Sequence, residues 1–218
     1  MTALLELRDL ECQRGHRIIF TAVSSMLDGG QMLRVHGANG SGKTSLLRMI
    51  CGLAAPAAGD VAWRGRPIGR RREEFHRELA YIGHVPALKN ELGALENLVA
   101  AHGLAGRTCD EREAISALAQ AGLRGRERLP VQALSQGQRR RAALARLSLS
   151  AGATLWVLDE PFDALDDTGC AWLEALIAAH LARAGVVVLT SHQQRAWETS
   201  QPRVVLALSA PAAHPVGA

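Results

Sequence analysis

Gly37-Ala38-Asn39-Gly40-Ser41-Gly42-Lys43-Thr44 fits the pattern G-x-x-x-x-G-K-[ST], and it limits the possible folds more than any other stretch of the chain. It lies between 32–35, which reads as a strand, and 44–53, which reads as a helix with Leu46, Leu47 and Ile50 at helical spacing. The glycines let the backbone wrap a phosphate with its N–H groups aimed at the anion. The helix that follows adds the positive end of its dipole. Lys43 supplies a point charge to the β- and γ-phosphates, and the Thr44 hydroxyl can ligate Mg2+. The adjoining Ser45 is grouped with this nucleotide-binding loop.

The rest of the chain alternates short apolar runs with helical patterns. Strands are expected at 4–12, 17–22, 61–63, 154–159, 185–190 and 204–208, a turn at Asp28-Gly29-Gly30, and a helix at 169–183. From about 86 to 149 the pattern is mainly helical and rich in Ala, Leu and Arg. Such alternation implies a mostly parallel sheet covered by helices, with the helical middle as an insertion. The last residues, rich in Ala and Pro, read as a frayed tail.

Composition removes several function classes. The 218 residues are 48% hydrophobic and 21% charged, which excludes disorder and leaves room for a sizeable core. The net charge of +4 is too small to argue for nucleic acid, and no nucleic-acid partner is expected. No window approaches a membrane span, and Glu6 and Asp9 interrupt any signal-peptide core, so a cytoplasmic chain is expected. The four cysteines are far apart, without a C-x-x-C pair, and read as reduced thiols.

Leu155-Trp156-Val157-Leu158-Asp159-Glu160 is an apolar strand ending in two carboxylates. In an open α/β sheet, ligands bind at the carboxyl ends of strands, which puts these acids beside the phosphate loop. Asp159 can hold Mg2+ directly or through water, and Glu160 is suited to orient and deprotonate an attacking water. His192 follows another apolar strand and can reach the same edge, to bond the γ-phosphate or the water.

Leu134-Ser135-Gln136-Gly137-Gln138 opens a further helix. Ser135 reads as its N-cap, Gln138 completes a capping box, and Gly137 permits close approach to the backbone. A second helix start suited to an anion results.

These residues together resemble the ATP-binding cassette (ABC) ATPase family over nearly the whole chain and in the family's order. The phosphate loop comes first, then the signature 134–138, Asp159-Glu160, the Ala164-Leu165-Asp166 turn and the Ser191-His192 switch. The resemblance implies an α/β P-loop NTPase cassette with a mostly parallel core sheet, an N-terminal antiparallel β part and an inserted helical subdomain. It would be a single domain over 1–218, its core about 1–85 and 151–210 and its helical subdomain about 86–150. It implies ATP and Mg2+ as cofactors and Glu160, His192 and Lys43 as catalytic residues. It also implies a second copy packed head to tail, with Ser135, Gly137 and Gln138 reaching the γ-phosphate in trans and Asp166 coupling the two sites.

The chain departs from the family's pattern at two places. His84 stands at the hinge position where most members carry Gln, and the region from Cys12 to His16 lacks an aromatic residue to stack on adenine; Arg14 can stack through its guanidinium plane. With these departures, Ile82-Gly83-His84, Glu96-Asn97-Leu98 and Pro161-Phe162 look like the ATP-binding subunit of the haem exporter of bacterial cytochrome c maturation. By that resemblance the chain works with separate transmembrane subunits at the cytoplasmic face of the inner membrane. The alternatives are an ABC ATPase of another small-substrate transporter or one acting on DNA or ribosomes. Arg64, Arg66, Arg70, Arg71, Arg72 and Arg77 read as a salt-bridged solvated face, or as a contact for headgroups or a partner's acidic loop. Arg139, Arg140 and Arg141 are expected at exposed helix positions.

Overall fold

The computed structural model describes residues 3–150, 152–191, 198 and 200–208. Two sheets organise it. The first is antiparallel, in the order β2-β1-β4-β5, from β1 (Leu5–Arg14), β2 (Arg17–Leu27), β4 (Ala58–Trp63) and β5 (Arg66–Pro67). The second is parallel, in the order β6-β7-β8-β3-β9, from β3 (Met32–His36), β6 (Leu79–Ile82), β7 (Leu155–Leu158), β8 (Val186–Thr190) and β9 (Arg203–Ala207). Every residue of β7 and β8 is buried, as expected of parallel strands covered on both faces.

One face of the parallel sheet packs Leu33, Val35, Leu155, Val157 and Val188 against Leu46, Leu47 and Ile50 of α1 (Lys43–Ile50) and against Leu5, Leu7 and Phe20 of the antiparallel sheet. The other face packs Met32, Trp156, Leu158 and Leu189 against Leu173, Ile177 and Leu181 of α6 (Asp167–Ala182). A separate apolar cluster joins α3 (Ala94–Leu104), α4 (Glu111–Gln120) and α5 (Gln136–Leu144) through Leu95, Leu98, Leu118 and Ala142. Burying three such clusters supplies most of the driving force for folding, at about 25 cal/mol per Å2 of apolar surface.

The elements differ from expectation at several places. Strand β2 runs to Leu27 because its outer half keeps pairing with β1 across register shifts between Leu7, Leu10 and Cys12. Leu79–Ile82 is an unanticipated edge strand, only four residues long and hidden beside the charged helix α2 (Arg72–Arg77). The helical stretch breaks into three α-helices, the last of which, α5, begins at Gln136 after the expected Ser135 cap. The expected frayed tail from 209 onward lies outside the described residues.

Candidate nucleotide site

The phosphate loop leaves the end of β3 and enters α1 through Gly42, whose φ of 95° is a left-handed conformation that glycine adopts without strain. A Cβ there would stand 2.7 Å from Ile19 Cγ2 and 2.9 Å from Phe20 Cδ1, so the loop also needs glycine to nest against β2. Lys43 Nζ donates to the carbonyls of Gly37 at 2.9 Å and Ala38 at 3.4 Å. The ammonium group thus lies across the loop it would fill with phosphate.

Two hydroxyls converge on Asp159. Thr44 Oγ1 donates to Asp159 Oδ2 at 2.8 Å, and Thr190 Oγ1 donates to Asp159 Oδ1 at 2.8 Å. Thr190 also accepts from the Glu160 amide at 2.8 Å, so one hydroxyl fixes both acids. Strand β8 lies between β7 and β3, which makes its last residue the bridge between the acids and the phosphate loop. Asp159 and Glu160 are 2% and 7% exposed, and Glu160 is held at a left-handed φ of 47°. Such a non-glycine conformation costs roughly 1–3 kcal/mol and persists only where its surroundings determine it.

Arg14, Ile19, Asn39, Gly40, Gly42, Lys43, Thr44, Ser45, His84, Asp159 and Glu160 line one cavity of about 370 Å3. Arg14 donates to Ser45 Oγ at 2.8 Å, at the wall that the antiparallel sheet contributes. His84 reaches the same cavity from the end of β6. The donor set suits Mg2+, because a carboxylate and a hydroxyl are hard oxygen ligands. Among the described residues no group of three or more His, Cys, Asp or Glu could hold a metal by itself.

Ser135, Gly137, Gln138 and Asp166 do not line this cavity. They form a second cluster at the start of α5. Ser135 Oγ accepts from the Gln138 amide at 3.3 Å while Gln138 Oε1 accepts from the Ser135 amide at 3.0 Å, the reciprocal bonds of a capping box. A Cβ on Gly137 would stand 2.6 Å from the Ala164 carbonyl oxygen, so glycine lets the helix touch the turn before α6. Asp166 caps α6 by accepting from Gly169 N at 2.9 Å and pairs with Arg141. The Gly169 amide, and after it the Arg141 guanidinium, hold the Asp166 carboxyl below the usual carboxylate range. His192 lies outside the described residues.

Two residues at the site were not expected there. Thr190 reads as a strand end, and its only signal is a hydroxyl closing an otherwise apolar, fully buried strand. Arg140 is 4% exposed, against the expectation of a solvated position. It falls at i+3 from Gly137 and i–4 from Leu144, on the stripe of α5 that turns inward.

Fold and site define a nucleotide-binding cassette, and the chain belongs to the ABC transporter family, whose profile matches residues 20–163. It is an ABC-type ATPase. Within the family it is similar to the cytochrome c biogenesis ATP-binding export protein CcmA of Dechloromonas aromatica, 50% identical over 88% of this chain and 93% of that one. The same protein of Aromatoleum aromaticum is 50% identical over 97% of this chain and 98% of its own length. Among solved structures, a putative ABC transporter ATP-binding protein from Pyrococcus furiosus superposes with a TM-score of 0.79 at 25% identity, covering 94% of this chain and 96% of that one. A dimeric ATP-binding cassette bound to ADP and Pi superposes with a TM-score of 0.80 at 20% identity, covering 94% and 96%, and shares the fold.

Proposed function

We propose that this chain hydrolyses ATP for export in cytochrome c biogenesis, with haem or a haem–chaperone complex as the transported or remodelled species. The cavity that carries the reading brings the phosphate loop, Asp159, Glu160 and His84 together, while the signature residues lie outside it. That separation supports a head-to-tail pair of copies with ATP between the phosphate loop of one and Ser135, Gly137 and Gln138 of the other.

The chemistry follows from the placement of groups. The loop amides and Lys43 bind and orient the triphosphate, and Arg14 with Ile19 receives the base. Thr44 and Asp159 would hold Mg2+, which when bound neutralises charge on the β- and γ-oxygens. Glu160 takes a proton from water as the water oxygen bonds to the γ-phosphorus and the bond from that phosphorus to the β–γ bridging oxygen breaks, giving ADP and phosphate. His192 is proposed to orient the γ-phosphate or that water, and Asp166 to couple the two sites across the pair.

Among the described residues no helix is long and apolar enough to cross a membrane. In the proposed complex separate membrane subunits carry the transport path, with this chain peripheral at the cytoplasmic face of the inner membrane. An apolar groove of about 420 Å3 between the end of α1 and α2, lined by Met49, Leu53, Pro56, Ile68 and Phe75, supports such a contact, as does Val85, 77% exposed beside His84. Arg64 pairs with Glu78 at 2.9 Å and Arg71 with Glu74 at 2.7 Å, which favours the solvated reading of the arginine run.

Deleting the gene and staining for covalent haem in c-type cytochromes tests the assignment. Loss of staining, restored by the wild-type gene and not by Glu160→Gln, is the expected result. Normal staining would refute the haem-export reading and leave the ATPase assignment intact.

A further inference from the structure

Arg140 lies about one and a half turns into α5, counted from the Ser135 cap. Among the described residues its guanidinium donates to backbone carbonyls that belong to two other segments. Nη2 donates to the oxygens of Asp159 and Glu160, both at 2.7 Å, and Nε to Pro161 at 3.4 Å. Nη1 donates to Gly83 at 2.8 Å and His84 at 3.2 Å. Arginine has five N–H donors in a fixed fork, and five carbonyls receive them.

An arginine buried only to fill space would be expected to pair with a carboxylate. Among the described residues Arg140 makes no carboxylate ion pair within 4 Å; Asp163, Asp159 and Glu160 favour its charge from farther away. Burial costs this cation solvation and pulls its pKa below the usual guanidinium range. In return the fork grips the turn that holds Glu160 at its left-handed φ of 47°. The same group grips the segment that brings His84 into the nucleotide cavity. A helix is stiff over so short a distance, so a ligand that shifts Ser135 and Gln138 moves both sets of carbonyls together.

We propose that Arg140 is a positioning residue that couples the signature end of α5 to the Glu160 turn and to the His84 hinge within one chain. The inference rests on the ATPase reading of the cavity and extends it. Binding at the outer anion site and the readiness of the inner site to hydrolyse are linked through this one guanidinium. Lysine keeps the charge without the fork, and glutamine keeps polarity with only two N–H donors.

Arg140→Lys and Arg140→Gln in the full chain test this by steady-state ATP turnover together with amide hydrogen exchange. The expected result for Arg140→Lys is a kcat about tenfold lower, with KM for ATP changed by no more than about threefold. Exchange should quicken at 83–84 and 159–160 together and stay unchanged across the phosphate loop at 37–44. If Arg140→Gln fails to fold, Arg140→Lys decides alone. Turnover within about twofold of wild type with unchanged exchange would overturn the proposal. So would exchange that quickens throughout the fold, because Arg140 would then be a packing residue. Should the wild-type chain itself show no turnover, the hydrolysis reading fails, and the exchange pattern of Arg140→Lys still decides whether the two segments are joined through this residue.

Discussion

The Asp159–Glu160 turn and the Ser135–Gln138 helix start, the two regions proposed to handle nucleotide, are built in opposite ways. The turn is buried, cross-braced by the Thr44 and Thr190 hydroxyls and gripped by Arg140. Ser135 at the helix start is exposed, and this end satisfies its own donors by the reciprocal capping of Ser135 and Gln138. A site assembled within one chain must be stiff before its ligand arrives, because misplacing a reacting group by about 1 Å costs on the order of a hundredfold in rate. A site completed by another molecule need only keep its helix end intact until an anion takes over.

The contrast can be broken from either side. Lys43→Ala removes the loop's point charge and is expected to lower ATP turnover by about 10²–10³-fold, read in a phosphate-release assay, without loss of fold. Ser135→Asp sharpens the comparison most. Aspartate caps a helix as well as serine does, so the thermal midpoint should hold, but its charge repels an incoming phosphate and turnover should fall about a hundredfold. Unchanged turnover would reduce the Ser135–Gln138 box to a helix cap. Thr190→Val leaves Asp159 Oδ1 and the Glu160 amide without this shared hydroxyl. It should cost about 1–3 kcal/mol in urea unfolding and about tenfold in turnover.

The smallest effect lies away from both regions and shows what a purely structural change looks like. His180 stacks on Trp156 at 3.9 Å, sits 3.1 Å from the Thr154 carbonyl, and is pushed by burial from the ordinary 6.5 down to about 4. The unfolded chain therefore binds this proton more readily, and the contribution of neutral His180 is full above pH 6.5 and lost as pH falls towards 4. Roughly 2 kcal/mol of stability should disappear over that interval and be smaller in His180→Phe, measured by urea unfolding at stepped pH.

Much of the site could be read from residue order, because the phosphate loop and the Asp159–Glu160 pair advertise chemistry through local pattern. Strand β6 escaped because Leu79, Ala80, Tyr81 and Ile82 make too short a run to outweigh the charged residues before it. Arg140 escaped for a different reason. It sits between two residues of its own kind, and helical geometry sends the three arginines to different partners. Arg139 caps the carbonyls of Leu134 and Gln132, Arg141 meets Asp166, and Arg140 turns inward. Composition cannot separate them, and only the burial of neighbouring Ala143 and Leu144 marks the inward face. Thr190 needed the strand order, since only β8 standing between β7 and β3 makes its hydroxyl a bridge.

In the proposed pair, each chain carries half of each of two active sites. Sedimentation of purified Glu160→Gln with ATP and Mg2+ tests it most directly, since the substitution keeps the nucleotide site and removes the base. A stable species of two chains is expected with ATP, and single chains with ADP. Single chains at saturating ATP would contradict it.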